Sequence, residues 1–406
     1  MILILLGFRR FAAFWTRAGI NIMRHENSVF HQLQQHIPWS VFERLVNEHK
    51  ADHRVRRLTT KSQFLALLFG QLSGATSLRE IEAGLSSHDA RLYHVGGRCI
   101  ARATLADANA RRPAGLFADL FAHMAASSSR RTRRHVADAV RLLDATRVQV
   151  SSLFGGWADM VGAKRAIKLH VCYDPKDDTP LAMTLSGQRT NDIVPARVID
   201  IVPGVTYVFD LAYYDFAWWS GIHARGARFV TRLKSNTPVT TTAEQAADKA
   251  AGIVSDRIGL LPQRLASHRR NPFQDPVREV VVRIDTGKVI RLVTNDLDAP
   301  AGEIAALYKQ RWQIELFFKW IKQNLKIRHF LGTSENAVRI QVFVALIAYL
   351  LLRMAQACQK TIVQPLAFSR LVRLNIMHRR PIDTLQKPKP PAQTDQRQIP
   401  LPLAII

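Results

Sequence analysis

The chain has 406 residues, 47% of them hydrophobic, and this composition favours two or three folded domains over a disordered chain. Lysine and arginine number 57 against 32 acidic residues, and the net charge of +25 favours a polyanionic partner, with nucleic acid ahead of an anionic membrane surface. The three cysteines lie far apart, which argues against a disulfide framework or a structural zinc site and fits a reducing cytoplasm.

Residues 1–22 differ in composition from the segment that follows. The apolar run Met1–Leu6 is short, and its positive charges, Arg9 and Arg10, come after it rather than before it. That order is the reverse of a secretory signal. We therefore expect residues 1–22 to be a loose or non-native extension, with Met23 as the natural start.

Residues 23–135 are predicted to form a helical domain. Apolar residues recur at helical spacing in Gln63–Gln71, Ser77–Glu80 is a capping-box pattern, and a further helix could begin near Thr104. Short helices with many arginines are typical of a helix-turn-helix-like DNA reader, and the alternative is a plain bundle with a solvated basic surface. The arginines are Arg54, Arg56, Arg57, Arg79, Arg98, Arg102, Arg111 and Arg112.

The basic run Ser127–Arg134 is interpreted as a phosphate-contacting hinge, with a nuclear localisation run as the alternative. Beyond it the pattern changes to strands alternating with short helices, which predicts a mixed α/β sheet. The predicted strands are Val140–Thr146, Ala166–Tyr173, Pro180–Leu185, Val205–Phe209 and Phe229–Leu233, and the predicted helices are Ile193–Ile199 and Phe216–Arg225.

Residues 235–300 are predicted to be a β-rich insertion that contains a hairpin around 285–288. The apolar run Ile340–Leu352 is shorter than the roughly 20 residues that span a bilayer, so it predicts a buried helix. A helical region is expected over 346–385. The proline-rich, basic segment 386–406 predicts a disordered tail.

One predicted helix, running from Leu307 to Lys322, carries an unusual polar face. Its side chains Tyr308, Arg311, Glu315 and Lys322 share an arc roughly 60° wide, beside an apolar arc that would pack on the core. A carboxylate next to lysine and arginine on a packed helix suggests a metal-and-phosphate site. The alternative is an ordinary amphipathic helix with solvated charges.

Two aspartates could join that glutamate. Asp144 ends the first predicted strand and Asp210 the fourth, and ligands commonly bind at adjacent strand ends. Taken singly, each aspartate also suits a strand-end turn. Together with Glu315 they would need cations to stay ionised, and Mg²⁺ or Mn²⁺ prefers such oxygen ligands. Two ions could then promote a displacement at phosphorus.

Other candidates are assigned to structure. The acidic segment Asp174–Asp178 is interpreted as an exposed turn. Trp218 and Trp219 could stack on a flipped base, but core packing is the preferred interpretation. Trp312, off the reactive arc, is assigned to packing.

These motifs resemble those of the IS4 family of transposases. Asp144–Thr146 is similar to the family's Asp-x-Thr motif and Asp210–Tyr213 to its second motif, while Phe30–Arg112 resembles the helical domain that often precedes the catalytic one. The family's Tyr-(2)-Arg-(3)-Glu-(6)-Lys signature is matched, with every spacing intact, by Tyr308, Arg311, Glu315 and Lys322.

The resemblance implies an RNase H-like mixed sheet flanked by helices over residues 136–345, with the β-rich insertion at about 235–300 and an all-α DNA-binding domain over 23–135 before it. It further implies that three catalytic residues coordinate two Mg²⁺ ions, for which Mn²⁺ would substitute. The implied metal ligands are Asp144, Asp210 and Glu315, and the implied DNA phosphate ligands are Tyr308, Arg311 and Lys322.

The implied activity is cut-and-paste transposition, in which water and then a freed 3′ hydroxyl attack phosphodiester bonds at the element ends. The expected partners are double-stranded DNA at terminal inverted repeats and target DNA, bound by a homodimer, with no membrane involved. The expected location is the bacterial cytoplasm, at the nucleoid when DNA is bound. The alternatives are an inactive or domesticated DNA-binding protein of the same fold, or a nuclease without the joining step.

Overall fold

A large mixed sheet with a helical bundle over one face forms most of the described protein. The computed structural model describes residues 27–130, 139–150, 159–161, 164–264, 269–284, 287–325 and 330–386. The predicted extension, the second half of the predicted hinge and nearly all of the predicted tail lie outside these residues.

The N-terminal region is helical, as predicted. Its helices are α1 (Val29–Gln34), α2 (Trp39–Glu48), α3 (Thr60–Ser73), α4 (Leu78–Ser87), α5 (Asp89–Leu92), α6 (Arg102–Arg111) and α7 (Ala114–Arg130). Ser77 caps α4 because its hydroxyl accepts a hydrogen bond from the Glu80 amide at 3.2 Å. The Glu80 carboxylate completes the cap on the Thr76 amide, one residue earlier than a standard capping box. Gly74, at φ +80°, ends α3.

Ten described strands form one sheet. They are β1 (Val140–Val150), β2 (Asp159–Val161), β3 (Lys164–Asp174), β4 (Thr179–Gly187), β5 (Thr206–Val208), β6 (Arg228–Arg232), β7 (Thr240–Glu244), β8 (Ile253–Leu260), β9 (Val277–Arg283) and β10 (Val289–Thr294). The order is β2-β3-β1-β5-β6-β10-β9-β8-β7, and β4 also pairs with β3. The pairs β1–β5 and β5–β6 are parallel, with short helices α8 (Ile193–Ala196) and α9 (Phe216–Ala224) in the connections.

The predicted hairpin within 235–300 is confirmed as β9 and β10. The insertion does not form a sheet of its own, however, because Leu292–Thr294 of β10 pair antiparallel with β6 and extend the central sheet. Buried ion pairs link the added strands to one another. Arg278 binds Asp256 at 2.7 Å, and Glu279 pairs with arginines of both neighbouring strands.

The C-terminal helices are α10 (Ala301–Gln310), α11 (Trp312–Asn324), α12 (Glu335–Ala357) and α13 (Pro365–Asn375). Helix α12 is, by length and composition, apolar enough to cross a membrane, but 83% of its most apolar window is buried inside the protein. The prediction of a buried helix over Ile340–Leu352 is therefore confirmed, although the helix is longer than predicted.

The N-terminal and C-terminal helices share one hydrophobic core, which covers the sheet face that carries Leu142 and Val148. Backbone contacts join the two ends of the chain, including Phe30 N–H to the Ile376 carbonyl at 2.8 Å. The opposite face packs against α9, where Trp218 and Trp219 are buried, which confirms their assignment to the core. The proposed domain boundaries stay predictions.

The predicted turn at Asp174–Asp178 is confirmed, but the expectation that it is exposed is wrong at its two ends. Asp174 is buried, and Asp178 accepts a hydrogen bond from the Tyr349 hydroxyl at 2.8 Å. Arg353 binds the second carboxylate oxygen of Asp178, also at 2.8 Å. These contacts fasten the β3–β4 hairpin to α12, a long-range pairing that local turn chemistry does not reveal.

Helix α12 contacts both the N-terminal helices and the sheet, so a cavity in it should weaken the whole fold. We expect Ile347→Ala, at a position with 0% exposure, to lower the free energy of unfolding by about 2–5 kcal/mol. Urea denaturation followed by circular dichroism and by tryptophan fluorescence would show both probes shifting together. The control Leu374→Ala, at a position 73% exposed, should change the free energy little, and an equal loss there would contradict the prediction.

Candidate active site

Two aspartates meet where β5 stops beside β1. Asp144 lies within β1 rather than at its end, so that part of the prediction is wrong; β1 continues because β3 supplies its hydrogen bonds through Val150. Strand β5 pairs with Val140–Leu142 alone. Asp210 follows β5 and accepts a hydrogen bond from the Ala212 amide at 2.8 Å. The strand beside β1 therefore ends before it reaches Asp144 and turns away into Asp210.

Side chains along β1 alternate between the two faces of the sheet, and this alternation determines which helix faces Asp144. Side chains at 142, 144, 146 and 148 project to one face, and Leu142 and Val148 belong to the core that also includes Ile314 and Ile321 of α11. The polar residues between these two apolar ones therefore face the same helix. The packing of α11 on the sheet brings the signature residues to β1.

The predicted single helix from Leu307 to Lys322 is divided in the structure. Helix α10 ends at Gln310 and α11 begins at Trp312, with Arg311 between them. The Arg311 amide bonds to the Tyr308 carbonyl at 3.1 Å, a tighter three-residue spacing that interrupts the helical ladder. Arg311 keeps right-handed helical angles, so the chain continues in nearly the same direction.

Arg311 bridges two of the three candidate carboxylates. Its Nη1 lies 3.3 Å from Asp144 Oδ2, and its Nη2 lies 2.6 Å from Glu315 Oε1. Burial alone would lower the pKa of Arg311, but the bond to Glu315, with the charges of Tyr308, Asp144 and Glu315, raises it overall. The guanidinium is therefore a permanent positive charge between the acids.

Electrostatic coupling joins Asp210 to the same group. Burial, assisted by the neighbouring charges of Asp210 and Glu315, raises the pKa of Asp144 to about 7. The Ala145 amide and Arg311 oppose this rise. Two acids from distant parts of the chain, Asp210 and Glu315, thus both act electrostatically on Asp144.

The two remaining signature residues lie beside this group. The Lys322 ammonium donates a hydrogen bond to the Thr146 hydroxyl, two residues along β1 from Asp144. The Tyr308 ring centroid lies 5.9 Å from the Arg311 guanidinium, and burial raises the pKa of the Tyr308 phenol. All six residues that the sequence singled out are therefore brought to one region.

The donor set suits a divalent cation in chemical type, because carboxylate oxygens are the ligands that Mg²⁺ and Mn²⁺ prefer. Within the described ranges, no cluster of three or more histidine, cysteine or acidic side chains is close enough to hold a metal ion. Asp144 and Glu315 are instead held on the two terminal nitrogens of Arg311. A cation bound by these acids would compete with Arg311 for them.

The assignment of Trp312 to packing is wrong, because its side chain is 58% exposed. Leu316, one turn later, is 49% exposed on the same side of α11. A helical wheel places both on the far side of the polar arc from the apolar residues, so the spacing already carried this signal. They form an exposed apolar patch beside the signature residues.

The other polar residues near the sheet have structural partners. Asp192 binds Lys168 at 2.8 Å, and Asp215 caps α9 through the Trp218 amide. Buried His170 contacts the Ser186 hydroxyl at 2.7 Å. These contacts lie apart from Asp144, which faces the opposite side of the sheet.

Known proteins match this chain over both of its halves. The family described as "Transposase DDE domain" matches residues 137–351, and a domain of unknown function matches residues 25–98. The chain is similar to y4zB, a candidate transposase of Sinorhizobium fredii, with 43% identity over 286 residues, 70% of this chain and 80% of that protein. It is 31% identical over 247 residues to the probable transposase of insertion sequence element IS5377 from Geobacillus stearothermophilus, covering 59% of this chain and 63% of that one.

Among solved structures, the piggyBac transposase synaptic complex with hairpin DNA aligns with a TM-score of 0.44 at 12% identity. The alignment covers 92% of this chain and 84% of that chain.

The free energy of unfolding should depend on pH because Asp144 is buried next to other acids. A carboxyl whose pKa is higher in the folded state binds more protons there than in the unfolded state, so stability is lost as pH rises from about 4 through 7. We expect Asp144→Asn to remove this loss and to gain about 2 kcal/mol over the natural chain between pH 5 and pH 8, measured by urea denaturation with a chelator present. The exposed control Asp298→Asn should show no such pH-dependent gain. A difference that is the same at both pH values would contradict the prediction.

Competition between Arg311 and a metal ion can be measured directly. We expect Arg311→Gln to bind Mn²⁺ about 10-fold more tightly, because the acids lose their built-in cation, with isothermal titration calorimetry as the measurement. The matched control is Arg339→Gln, which removes an arginine paired with an acid four residues away on α12. Unchanged or weaker Mn²⁺ binding by Arg311→Gln would show that the guanidinium does not compete.

Proposed function

Since the chain belongs to the transposase DDE domain family and is an insertion-sequence transposase, we propose that Asp144, Asp210 and Glu315 are the catalytic residues of its DNA cleavage and strand transfer. Enzymes of this family depend on divalent metal ions. The observation that supports the residue assignment is that Arg311 binds both Asp144 and Glu315, while Asp210 at the end of β5 acts electrostatically on Asp144.

The proposed cofactor is a pair of Mg²⁺ ions held by the three carboxylates, with Mn²⁺ as a substitute. When bound, such a pair would activate the attacking oxygen and stabilise the leaving oxygen of the phosphodiester. The protein's own contribution is to place the acids. β1 holds Asp144 in a hydrogen-bonded ladder, and the packed face of α11 holds Glu315.

We propose that Tyr308, Arg311 and Lys322 bind the phosphates at the cleaved end. A guanidinium offers a two-pronged contact to phosphate oxygens, and an ammonium offers a point charge. Tyrosine contributes a hydroxyl donor or a stacking face. Lys322 is already oriented by Thr146, and Arg311 would pass from the carboxylates to a phosphate.

An RNase H-like core of the IS4 type is the proposed fold assignment. Three antiparallel strands, β1, β3 and β4, are followed by two parallel crossovers to β5 and β6. The intact signature spacing supports the IS4 assignment.

The proposed partners are terminal inverted repeats and target DNA, bound by a homodimer, and the net charge of +25 supports a nucleic-acid partner. The proposed location is the bacterial cytoplasm, at the nucleoid.

The catalytic assignment predicts that Glu315→Gln cleaves element-end DNA on the order of 1,000-fold more slowly in Mg²⁺, while binding of that DNA stays nearly unchanged. A duplex carrying the inverted repeats that flank the gene serves for both gel-based cleavage and binding assays. Glu303→Gln, an exposed acid on α10, is the control and should cleave normally.

Each outcome has a distinct meaning. Normal cleavage by Glu315→Gln would overturn the catalytic assignment. If the natural chain cleaves but never joins ends to target DNA, it is a nuclease without the joining step. If it binds ends without cleaving them, it is a DNA-binding protein of the same fold.

A further inference from the structure

A cleft of about 750 Å³ opens in the N-terminal helical region, between the α2–α3 loop and helix α6. Its lining is dominated by basic side chains, whereas Asp107 is an acid on α6 that also lines it. The basic residues that line the cleft are Lys50, His53, Arg54, Arg56, Arg57, Arg111 and Arg112.

Most of these cations have no counter-ion within the described part of the chain. The side chains of Lys50, Arg54, Arg56 and Arg57 are exposed and make no ion pair or hydrogen bond with the described residues. Asp107 is already paired with Arg111 on the same helix. The loop therefore concentrates positive charge that the folded chain does not neutralise.

A buried network holds the loop in place from the inside. Asp52 accepts hydrogen bonds from the Thr60 amide at 2.7 Å, from the Thr60 hydroxyl at 2.8 Å and from Arg112 Nη1 at 3.1 Å. The Arg112 side chain is 9% exposed, and it also donates to the Leu58 carbonyl. The inner arginine thus fixes the loop, and the outer cations point to solvent.

The loop backbone is strained. Lys50 and Arg54 adopt φ of +48° and +57°, and only Asp178 shares this property among the described residues other than glycine. Such conformations persist where the surroundings over-determine them, and they cluster at ligand-binding sites. Here the Asp52–Arg112 network supplies that constraint.

We propose that this cleft binds the sugar–phosphate backbone of a DNA duplex, as a second contact separate from the carboxylate site. The proposal takes DNA as the partner from the proposed function. Several unpaired cations around a wide, open cleft match a run of phosphates better than a single enclosed anion. Arginines of this loop that contact the DNA phosphates would position the duplex without recognising its base sequence.

The cleft is firmly connected to the catalytic region. Asn336, in the first turn of α12, donates to the carbonyls of Asn109 and Arg112, where α6 ends. Its side-chain oxygen accepts from the Ala114 amide at 3.3 Å. A duplex held in the cleft would therefore have a fixed direction relative to α11 and α12.

The test is the triple substitution Arg54→Ala, Arg56→Ala and Arg57→Ala, with the full chain and a duplex of element-end or unrelated sequence. Fluorescence anisotropy across a salt series should show binding about 10- to 100-fold weaker near 0.1 M salt for both sequences. The slope of log K against log [salt] should fall in magnitude by about 2 to 3. The matched control removes three other exposed arginines, Arg225, Arg283 and Arg370, and should leave most of the affinity.

Both triple variants should keep the circular dichroism spectrum and melting temperature of the natural chain, because the replaced side chains are exposed. Unchanged duplex affinity and slope in the cleft variant would overturn the proposal, as would an equal loss in the control. The proposal would also be overturned if the cleft variant lost affinity only for RNA or for an acidic protein and kept its affinity for the DNA duplex. Failure of the natural chain to cleave in Mg²⁺ would count against the proposed function alone, since the binding slopes still test the cleft.

Discussion

The burial of Asp144 next to other acids is the constraint on which the proposed site depends. A buried carboxylate beside other acids stays ionised only when positive charge lies nearby. In the structure that charge is Arg311, which binds two of the acids directly. The raised pKa of Asp144 shows that one arginine does not fully compensate for burial and like charge. A divalent cation carries twice the charge, which gives a physical reason for the metal dependence of the family.

A difference in strand length brings Asp144 and Asp210 near each other. β1 runs on for eight residues beyond its pairing with β5, so Asp144 lies beside the point where β5 turns away into Asp210. The core face of α11 then fixes Glu315 against β1. Apolar packing below and hydrogen-bonded strands beside the acids hold them in an arrangement that their own charges oppose. The favourable packing of the core thus offsets the unfavourable energy of the crowded acids.

Positive charge is organised at two levels in this transposase. At the carboxylate site, Arg311 and Lys322 are held by acids or by Thr146, and each is half-buried. In the α2–α3 loop, Arg54, Arg56 and Arg57 are exposed and have no partner among the residues that the structure describes, while Arg112 below them is paired with Asp52. The paired arginines, such as Arg112, hold parts of the protein together. The exposed arginines of the α2–α3 loop are available to bind a polyanion. The net charge of +25 alone does not distinguish these two uses.

The sequence by itself determined the element types, the buried helix α12, and the six residues that converge, because periodicity and motif spacing are local properties. It misplaced Trp312 although the helical wheel pointed to exposure, and it missed the break at Arg311, which depends on one tightened hydrogen bond. Only the tertiary structure decided that β10 joins β6, that Asp178 is held by Tyr349, and that Arg311 lies between Asp144 and Glu315. Those contacts join residues far apart along the chain. Which residues meet depends on packing and charge in the folded protein, and local sequence patterns do not reveal it.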